Sequence, residues 1–334
     1  MPPSLTIAVP TYNRAAKLAR VLDTLSGQIR TSGLAERTSV LISDNCSTDG
    51  TPEVIQRFAA ANKDLRIAQY RQAGNIGAVR NLWWLYEHCE TDYCWYFSDD
   101  DTLAPNAVST ISAALDAHEP RVLLFSFEQP PGSRLRTFDY PDPVTCFSDP
   151  ADISRLLVRW PKISIYIYRK GALSPDSMAL LRATADEHGF IHLILALSLF
   201  RDNPGGKLAV ISEQLASCDE DFRVLRTPAS DWGIFHRVFE HPLIREHAPL
   251  LAAENGPRHS YYLQIVFFWA WKCGAMQIDD SFRAEYEDAL AQMPLHWNWL
   301  LRAPGMMARV LVMKSGITSA PRILNRLSAA LKDS

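Results

Sequence analysis

Four times in the first hundred residues a short apolar run, rich in β-branched or aromatic side chains, gives way to a cluster of polar residues. Leu5-Thr6-Ile7-Ala8-Val9 stops at Pro10, and the spacing of apolar residues from Ala15 to Leu25 predicts a helix. Val40-Leu41-Ile42-Ser43 leads into Asp44-Asn45-Cys46-Ser47-Thr48-Asp49-Gly50, followed by a predicted helix over Thr51 to Ala61 with Pro52 in its first turn. Leu65 to Tyr70 is a third strand candidate, and Asn75-Ile76-Gly77 opens a predicted helix from Ala78 to Cys89. The aromatic run Tyr93-Cys94-Trp95-Tyr96-Phe97 then meets Ser98-Asp99-Asp100-Asp101. Strands alternating with helices imply an α/β fold with a mostly parallel, doubly wound sheet. In such sheets ligands sit outside the carboxyl ends of the strands, which is where every one of these polar clusters falls.

The acidic run is the chemically sharpest of the four. Three adjacent carboxylates repel one another and are costly to desolvate, so at the end of a buried strand they call for a cation. Mg²⁺ and Mn²⁺ suit oxygen donors, and take only one or two protein ligands when a nucleotide phosphate completes the shell. A solvated acidic loop is the plainer alternative.

Composition narrows the remaining classes. A chain of 334 residues with 47% hydrophobic content is long enough for a large core and for two domains. Its formal charge of -3 supplies no basic field for nucleic acid. Cys46, Cys89, Cys94, Cys146, Cys218 and Cys273 form no CxxC pair, which argues against a zinc site and fits reduced thiols in a cytosolic setting. The N-terminal Met1-Pro2-Pro3-Ser4 lacks the features of a secretory signal. No apolar stretch reaches the length of about 18 residues that a membrane span needs.

Taken together, Val9-Pro10-Thr11-Tyr12-Asn13-Arg14, Ile42 to Thr51, Asn75-Ile76-Gly77-Ala78-Val79-Arg80-Asn81 and Phe97-Ser98-Asp99-Asp100-Asp101 resemble the nucleotide-sugar-dependent glycosyltransferases of family 2, which have the GT-A fold. The resemblance covers roughly the first 105 residues, in the family's order and spacing. It implies that the loop Pro10-Thr11-Tyr12-Asn13-Arg14 wraps the nucleotide base and ribose, with Tyr12 the candidate to stack on the base. Asp44 matches a carboxylate that hydrogen-bonds the pyrimidine in many relatives; read by itself, it is a turn residue or helix cap. Asn75 and Gly77 belong to the third loop, and Arg80 matches a residue that reaches the nucleotide or its diphosphate. Asp99 and Asp101 fit the family's DxD pattern, Asp99 near the ribose and Asp101 on a divalent metal, Mn²⁺ or Mg²⁺, bridging the diphosphate; Asp100 can substitute in either role. Such a metal neutralises charge on the departing nucleoside diphosphate.

The catalytic base is expected from the second half of the domain. Arg121 to Phe127 and Ile163 to Arg169 read as strands, Pro130 to Pro150 as an irregular stretch, and a helix is predicted from Pro175 onward carrying Asp186-Glu187-His188-Gly189-Phe190-Ile191-His192. Many relatives place a Glu-Asp pair near this point. Here Asp186 and Glu187 stand in the opposite order, and Gly189-Phe190-Ile191-His192 resembles a stretch in a subgroup of abequosyltransferase type that builds bacterial surface polysaccharides. Glu187, Asp186 and His192 all stay candidates, since carboxylate and imidazole can each take a proton from an acceptor hydroxyl.

Leu208 to Ile211 reads as the last strand of a catalytic domain spanning 1–217, divided into a nucleotide-sugar half (1–105) and an acceptor half (106–217). Residues 218–334 read as mainly helical. The basic, amphipathic segment from Trp297 to Lys332 suits either peripheral contact with an anionic membrane or a helix pair packed on the protein. The expected function is transfer of a sugar from a nucleoside-diphosphate sugar to a hydroxyl of a saccharide or lipid-linked saccharide, inverting and metal-dependent, in bacterial surface-glycan assembly. The expected location is the cytoplasm or the cytoplasmic face of the inner membrane, with no nucleic-acid partner. The rival readings are a nucleotidyltransferase, weakened by the absence of glycine from Pro10-Thr11-Tyr12-Asn13-Arg14, and a non-catalytic nucleotide- or glycan-binding protein with the same fold.

Overall fold

The computed structural model of the protein describes residues 2–128, 137–159, 162–185, 189–218 and 241–243. Its N-terminal half is the βα alternation expected from the sequence: β1 (Leu5–Thr11), α1 (Ala15–Thr31), β2 (Thr38–Asp44), α2 (Thr51–Ala61), β3 (Arg66–Arg71), α3 (Ala78–Glu87) and β4 (Tyr93–Tyr96). There follow β5 (Thr102–Leu103), α4 (Ala107–His118), β6 (Val122–Glu128), β7 (Val144–Phe147), α5 (Pro150–Arg159), β8 (Ile167–Arg169), α6 (Pro175–Thr184), α7 (Ile191–Asp202) and β9 (Leu208–Ser217).

All nine strands join one sheet in the order β3-β2-β1-β4-β8-β6-β9-β5, with β7 also pairing β9, at its start. β3, β2, β1 and β4 are parallel neighbours; β8 runs against β4 and β6, and β9 runs with β6. Only β5, β7 and β8 therefore oppose the common direction, so the sheet is mixed and mostly parallel. Helices cover the central strands on both faces, which is why β1, β2 and β4 read as nearly unbroken apolar runs. Their residues Ile7, Val9, Val40, Ile42, Cys94, Trp95 and Tyr96 are fully buried. α1 docks through Leu18, Val21, Leu22, Leu25 and Ile29, one helical stripe. Each such side chain contributes about 1.5–3 kcal/mol of burial.

Residues 106–217 depart from the sequence reading in four places. Ile163 to Ile165 is a 3-10 turn, and only Ile167–Arg169 pairs as a strand. The alternating pattern was met by a turn because Ser164 faces inward toward polar partners described below. The helix expected to run from Pro175 to His192 is two helices, α6 and α7, with Asp186, Glu187 and His188 outside the described residues. α7 is buried on almost every side, against α3, α5 and α6, so its apolar residues lack a helical period. Within the stretch read as irregular, Val144–Phe147 pairs with β9. Asp149 accepts the Ala151 and Asp152 amides at 2.9 and 3.1 Å and so caps α5, with Pro150 in its first turn. β9 continues to Ser217, six residues past the expected strand.

The expected helical region 218–334 lies outside the described residues except for Cys218 and residues 241–243. There His241 Nε2 meets Thr184 Oγ1 at 2.8 Å, and Leu243 is buried. Cys46, Cys89, Cys94, Cys146 and Cys218 are free thiols, as expected. Among the described residues no helix is long and apolar enough to cross a membrane.

Candidate active site

Strand register builds the site. Thr11 is level with Asp44, and Asp44 with Arg71, so three parallel strands end side by side. β4 ends earlier, its Phe97 amide donating to Ala8 O, and the acidic run therefore folds across the end of β1.

The first two loops are stitched together. Asn13 takes a left-handed backbone (φ 53°), a conformation asparagine tolerates better than most residues, and this reverses the chain after Tyr12. Its amide donates to Ser47 Oγ at 2.9 Å, and its side-chain oxygen accepts the Thr48 amide at 2.8 Å. The Arg14 amide donates to Thr51 Oγ1 and the Ala15 amide to Asp49 Oδ2, so the second loop caps α1. Asp49 also accepts Thr51 N–H and O–H at the start of α2, so one carboxylate serves two helix N-termini. Burial pushes the Asp49 carboxyl up, but the Thr51 and Ala15 hydrogen bonds outweigh it and leave the group below the usual carboxylate value. Tyr12 is 42% exposed at the rim, and Pro10 is half-buried beside it.

Asp44 is 1% exposed. Oδ1 accepts the Ser47 amide at 2.9 Å, the turn role expected of the residue alone; Oδ2 is buried without a hydrogen bond, 3.5 Å from Arg71 Nε. One oxygen thus shapes the loop while the other faces Arg71. Asn45 donates to Asn75 Oδ1 and accepts the Ile76 amide, both at 2.9 Å, locking the second loop to the third. Asn75 Oδ1 also accepts the Gly77 amide. Gly77 has φ +84° with open space around the missing side chain, so its requirement is purely conformational. Arg80 lies exposed in the first turn of α3.

In the acidic run, Asp99 is 8% exposed and accepts Thr11 Oγ1–H at 2.6 Å. Burial pushes its carboxyl up to about 7; the Thr11 hydrogen bond and Arg14 oppose the rise, and Asp100 and Asp101 add to it. Asp101, 4% exposed, is raised by burial against the opposing pull of Lys162. Lys162 Nζ stands 3.3 Å from Asp101 Oδ1, and Ser164 Oγ–H donates to Oδ2. Ser164 also accepts the Ser98 amide, while its carbonyl accepts the Trp95 indole N–H at 2.8 Å. Asp100 is held by Ser98 Oγ–H at 2.6 Å and by Arg14 at 3.5 Å. A cleft of about 420 Å³ opens on the α1 side of the run, lined among others by Lys17, Arg20, Thr24, Phe97, Asp100 and Asp101.

A divalent cation fits this donor set. Two buried carboxylates with raised proton affinity mark a place where positive charge is wanted. Among the described residues no group of three or more His, Cys, Asp or Glu side chains could hold a metal. Carboxylates such as those of Asp99 and Asp101 are the oxygen donors that suit a divalent cation completed by phosphate oxygens.

Of the base candidates, Asp186 and Glu187 lie outside the described residues. His192 sits in the first turn of α7, 2% exposed, its ring edge-on to Tyr166 and Phe190, and its carbonyl accepts Tyr168 O–H at 3.0 Å. Sequence reasoning missed Arg71, Lys162 and Ser164 beside the candidate site. Asn45 stood inside a quoted motif, whereas Lys162 and Ser164 carry no local signal, because they reach the acidic run from more than sixty residues away.

The family model described as glycosyl transferase family 2 matches residues 6–190, more than half of the chain. The chain is a family 2 glycosyltransferase. This membership sets aside the nucleotidyltransferase alternative. The glycosyltransferase is 28% identical over 230 residues to the abequosyltransferase RfbV of Salmonella typhimurium, a match covering 65% of this chain and 67% of that one. Over 125 residues it is 26% identical to the poly(ribitol-phosphate) β-N-acetylglucosaminyltransferase TarS of Staphylococcus aureus, covering 37% of this chain and only 21% of TarS. The crystal structure of S. aureus TarS 1–349 with UDP-GlcNAc shares the fold at a TM-score of 0.60 and 17% identity, covering 88% of this chain and 82% of that one. The mannosyltransferase PcManGT of Pyrobaculum calidifontis, in complex with GDP-Man and Mn²⁺, does so at 0.51 and 17% identity, covering 100% of this chain and 88% of that one. The glycosyltransferase therefore has the GT-A architecture expected from its motifs.

Proposed function

We propose that this glycosyltransferase moves a sugar from a nucleoside-diphosphate donor to a hydroxyl of a saccharide or lipid-linked saccharide, with inversion and with a divalent cation, during bacterial surface-glycan assembly. The observation that carries the reading is the convergence of Thr11, Asp44, Asn75 and Asp99 to Asp101 on one sheet edge, with two buried carboxylates of raised proton affinity. The relatives named for abequosyl and N-acetylglucosaminyl transfer support the reaction class and the surface-glycan setting.

In this reading the unbonded Asp44 Oδ2 accepts a donor N–H of the base, Tyr12 covers the base from the rim, and Asp99 takes a ribose hydroxyl. Asp101, with Asp99 or Asp100, would hold the cation, which when bound would neutralise charge on the leaving diphosphate as a Lewis acid. Arg80 faces the diphosphate from the start of α3. Asp186, Glu187 or His192 takes the proton of the acceptor hydroxyl as its oxygen bonds to the anomeric carbon, and the electron pair of the broken bond leaves with the diphosphate. Residues 1–217 act as the catalytic unit, and the basic segment from Trp297 to Lys332 either contacts a membrane or packs on the protein.

The test is a thermal-shift series with nucleoside diphosphates and nucleotide sugars, each with Mn²⁺, Mg²⁺ or chelator. A stabilisation by one nucleotide family that chelator removes is the expected result. No stabilisation by any nucleotide overturns the donor site. Donor binding with no transfer to any hydroxyl, unchanged by Glu187→Gln, Asp186→Asn or His192→Ala, returns the non-catalytic reading.

A further inference from the structure

We infer that Lys162 is a positioning residue that stands in the cation's place at Asp101, so that a divalent metal reaches this carboxylate only by displacing the lysine ammonium. The inference rests on the proposed role of Asp101 and adds a residue that no motif contains.

Each carboxylate of the acidic run has a different counterpart in the fold. Asp99 has the Thr11 hydroxyl, Asp100 has Ser98 and the Arg14 guanidinium, and Asp101 has Lys162 and Ser164. Asp101–Lys162 is the deeper of the run's two ion pairs: the Asp101 side chain is 1% exposed and that of Lys162 is 24% exposed, against 31% and 36% for Asp100 and Arg14. The lysine is held on its other side by the Phe127 ring, with Nζ 4.9 Å from the ring centre. A carboxylate this buried is costly to keep ionised without a neighbouring positive charge, and Lys162 supplies one before any ligand arrives. The same ammonium and an incoming divalent ion would repel each other across one carboxylate, so the two compete. Lysine suits the task because its charge rides on a flexible four-carbon stem, whereas a guanidinium fork would clamp the carboxylate. Since Lys162 and Ser164 come from the acceptor half, that half sets how readily the donor half takes its metal.

The experiment titrates Mn²⁺ alone into the full chain and follows the free ion by its electron paramagnetic resonance signal. Lys162→Met and Lys162→Gln should each bind Mn²⁺ about ten-fold more tightly than the wild type, the effect of removing one adjacent positive charge. Lys162→Arg, which keeps the charge, should bind no more tightly than wild type, and Asp101→Asn added to Lys162→Met should abolish the gain. A purely supporting role for Lys162 would instead weaken the site. Unchanged or weaker Mn²⁺ binding in either neutral variant, with a native near-UV circular dichroism spectrum, overturns the inference. If no variant binds Mn²⁺ while a nucleoside diphosphate still raises the melting temperature, the inference falls and the donor site stands. If neither probe acts on any variant, both fall.

Discussion

At the scale of single residues, the site shows carboxylates doing two kinds of work. Asp49 organises: its three hydrogen bonds join the starts of α1 and α2, and its proton affinity is lowered. A carboxyl whose affinity is lower in the folded than in the unfolded chain stabilises the fold above its unfolded value, and that contribution disappears as pH falls through the folded value. Asp49→Ala should therefore cost about 1 kcal/mol at neutral pH, the usual worth of a helix cap. Denaturant titrations of wild type and variant should begin to converge as pH falls below about 4 and continue to do so through the lower folded value, and a gap that does not narrow on acidification would deny Asp49 this role. Asp101 is the carboxylate proposed to hold the cation. Asp101→Asn should sharply lower the Mn²⁺-dependent part of donor binding, read by calorimetry, and unchanged metal dependence would remove Asp101 from the site.

At the scale of elements, the loops after β1, β2 and β3 hold one another rather than hanging from the sheet separately. Asn13 bridges the first to the second and Asn45 the second to the third. The third loop then turns into α3 at Gly77, whose φ of +84° an L side chain adopts only with strain. Gly77→Ala should lower stability by about 1 kcal/mol, with no clash to blame, since nothing lies within 4 Å of the added carbon. Thermal unfolding of the variant checks this, and an unchanged melting temperature would mean that the loop relaxes. The 3-10 turn at Ile163–Ile165 is the corresponding device on the acceptor side, trading strand pairing for a serine that holds the acidic run.

At the scale of the whole molecule, the acidic run is where the two halves meet: Thr11 and Arg14 reach it from one side, Lys162 and Ser164 from the other. Binding of a nucleoside diphosphate with Mn²⁺ should therefore slow amide hydrogen exchange in the loops after β1 and β2 and also in the segment from Lys162 to Tyr166. Protection confined to the first two loops would show that the acceptor half does not sense the donor.

The sequence by itself determined the strand–helix alternation of residues 5–97, the mostly parallel sheet and the four polar loops at its carboxyl edge, because each rests on local periodicity and on residues adjacent in the chain. Asp44 was legible as a turn residue, and its Oδ1 accepts the Ser47 amide in that role. Where burial is all-round, as in α7, or where an inward residue is polar, as at Ser164, periodicity carried no usable signal. Which charge sits beside Asp101 was decided only by tertiary structure. The reason is physical: the cost of a buried carboxylate is met by whatever cation the fold brings within about 4 Å, and Lys162 arrives there through the antiparallel β8, which runs beside β4 against the sheet's common direction.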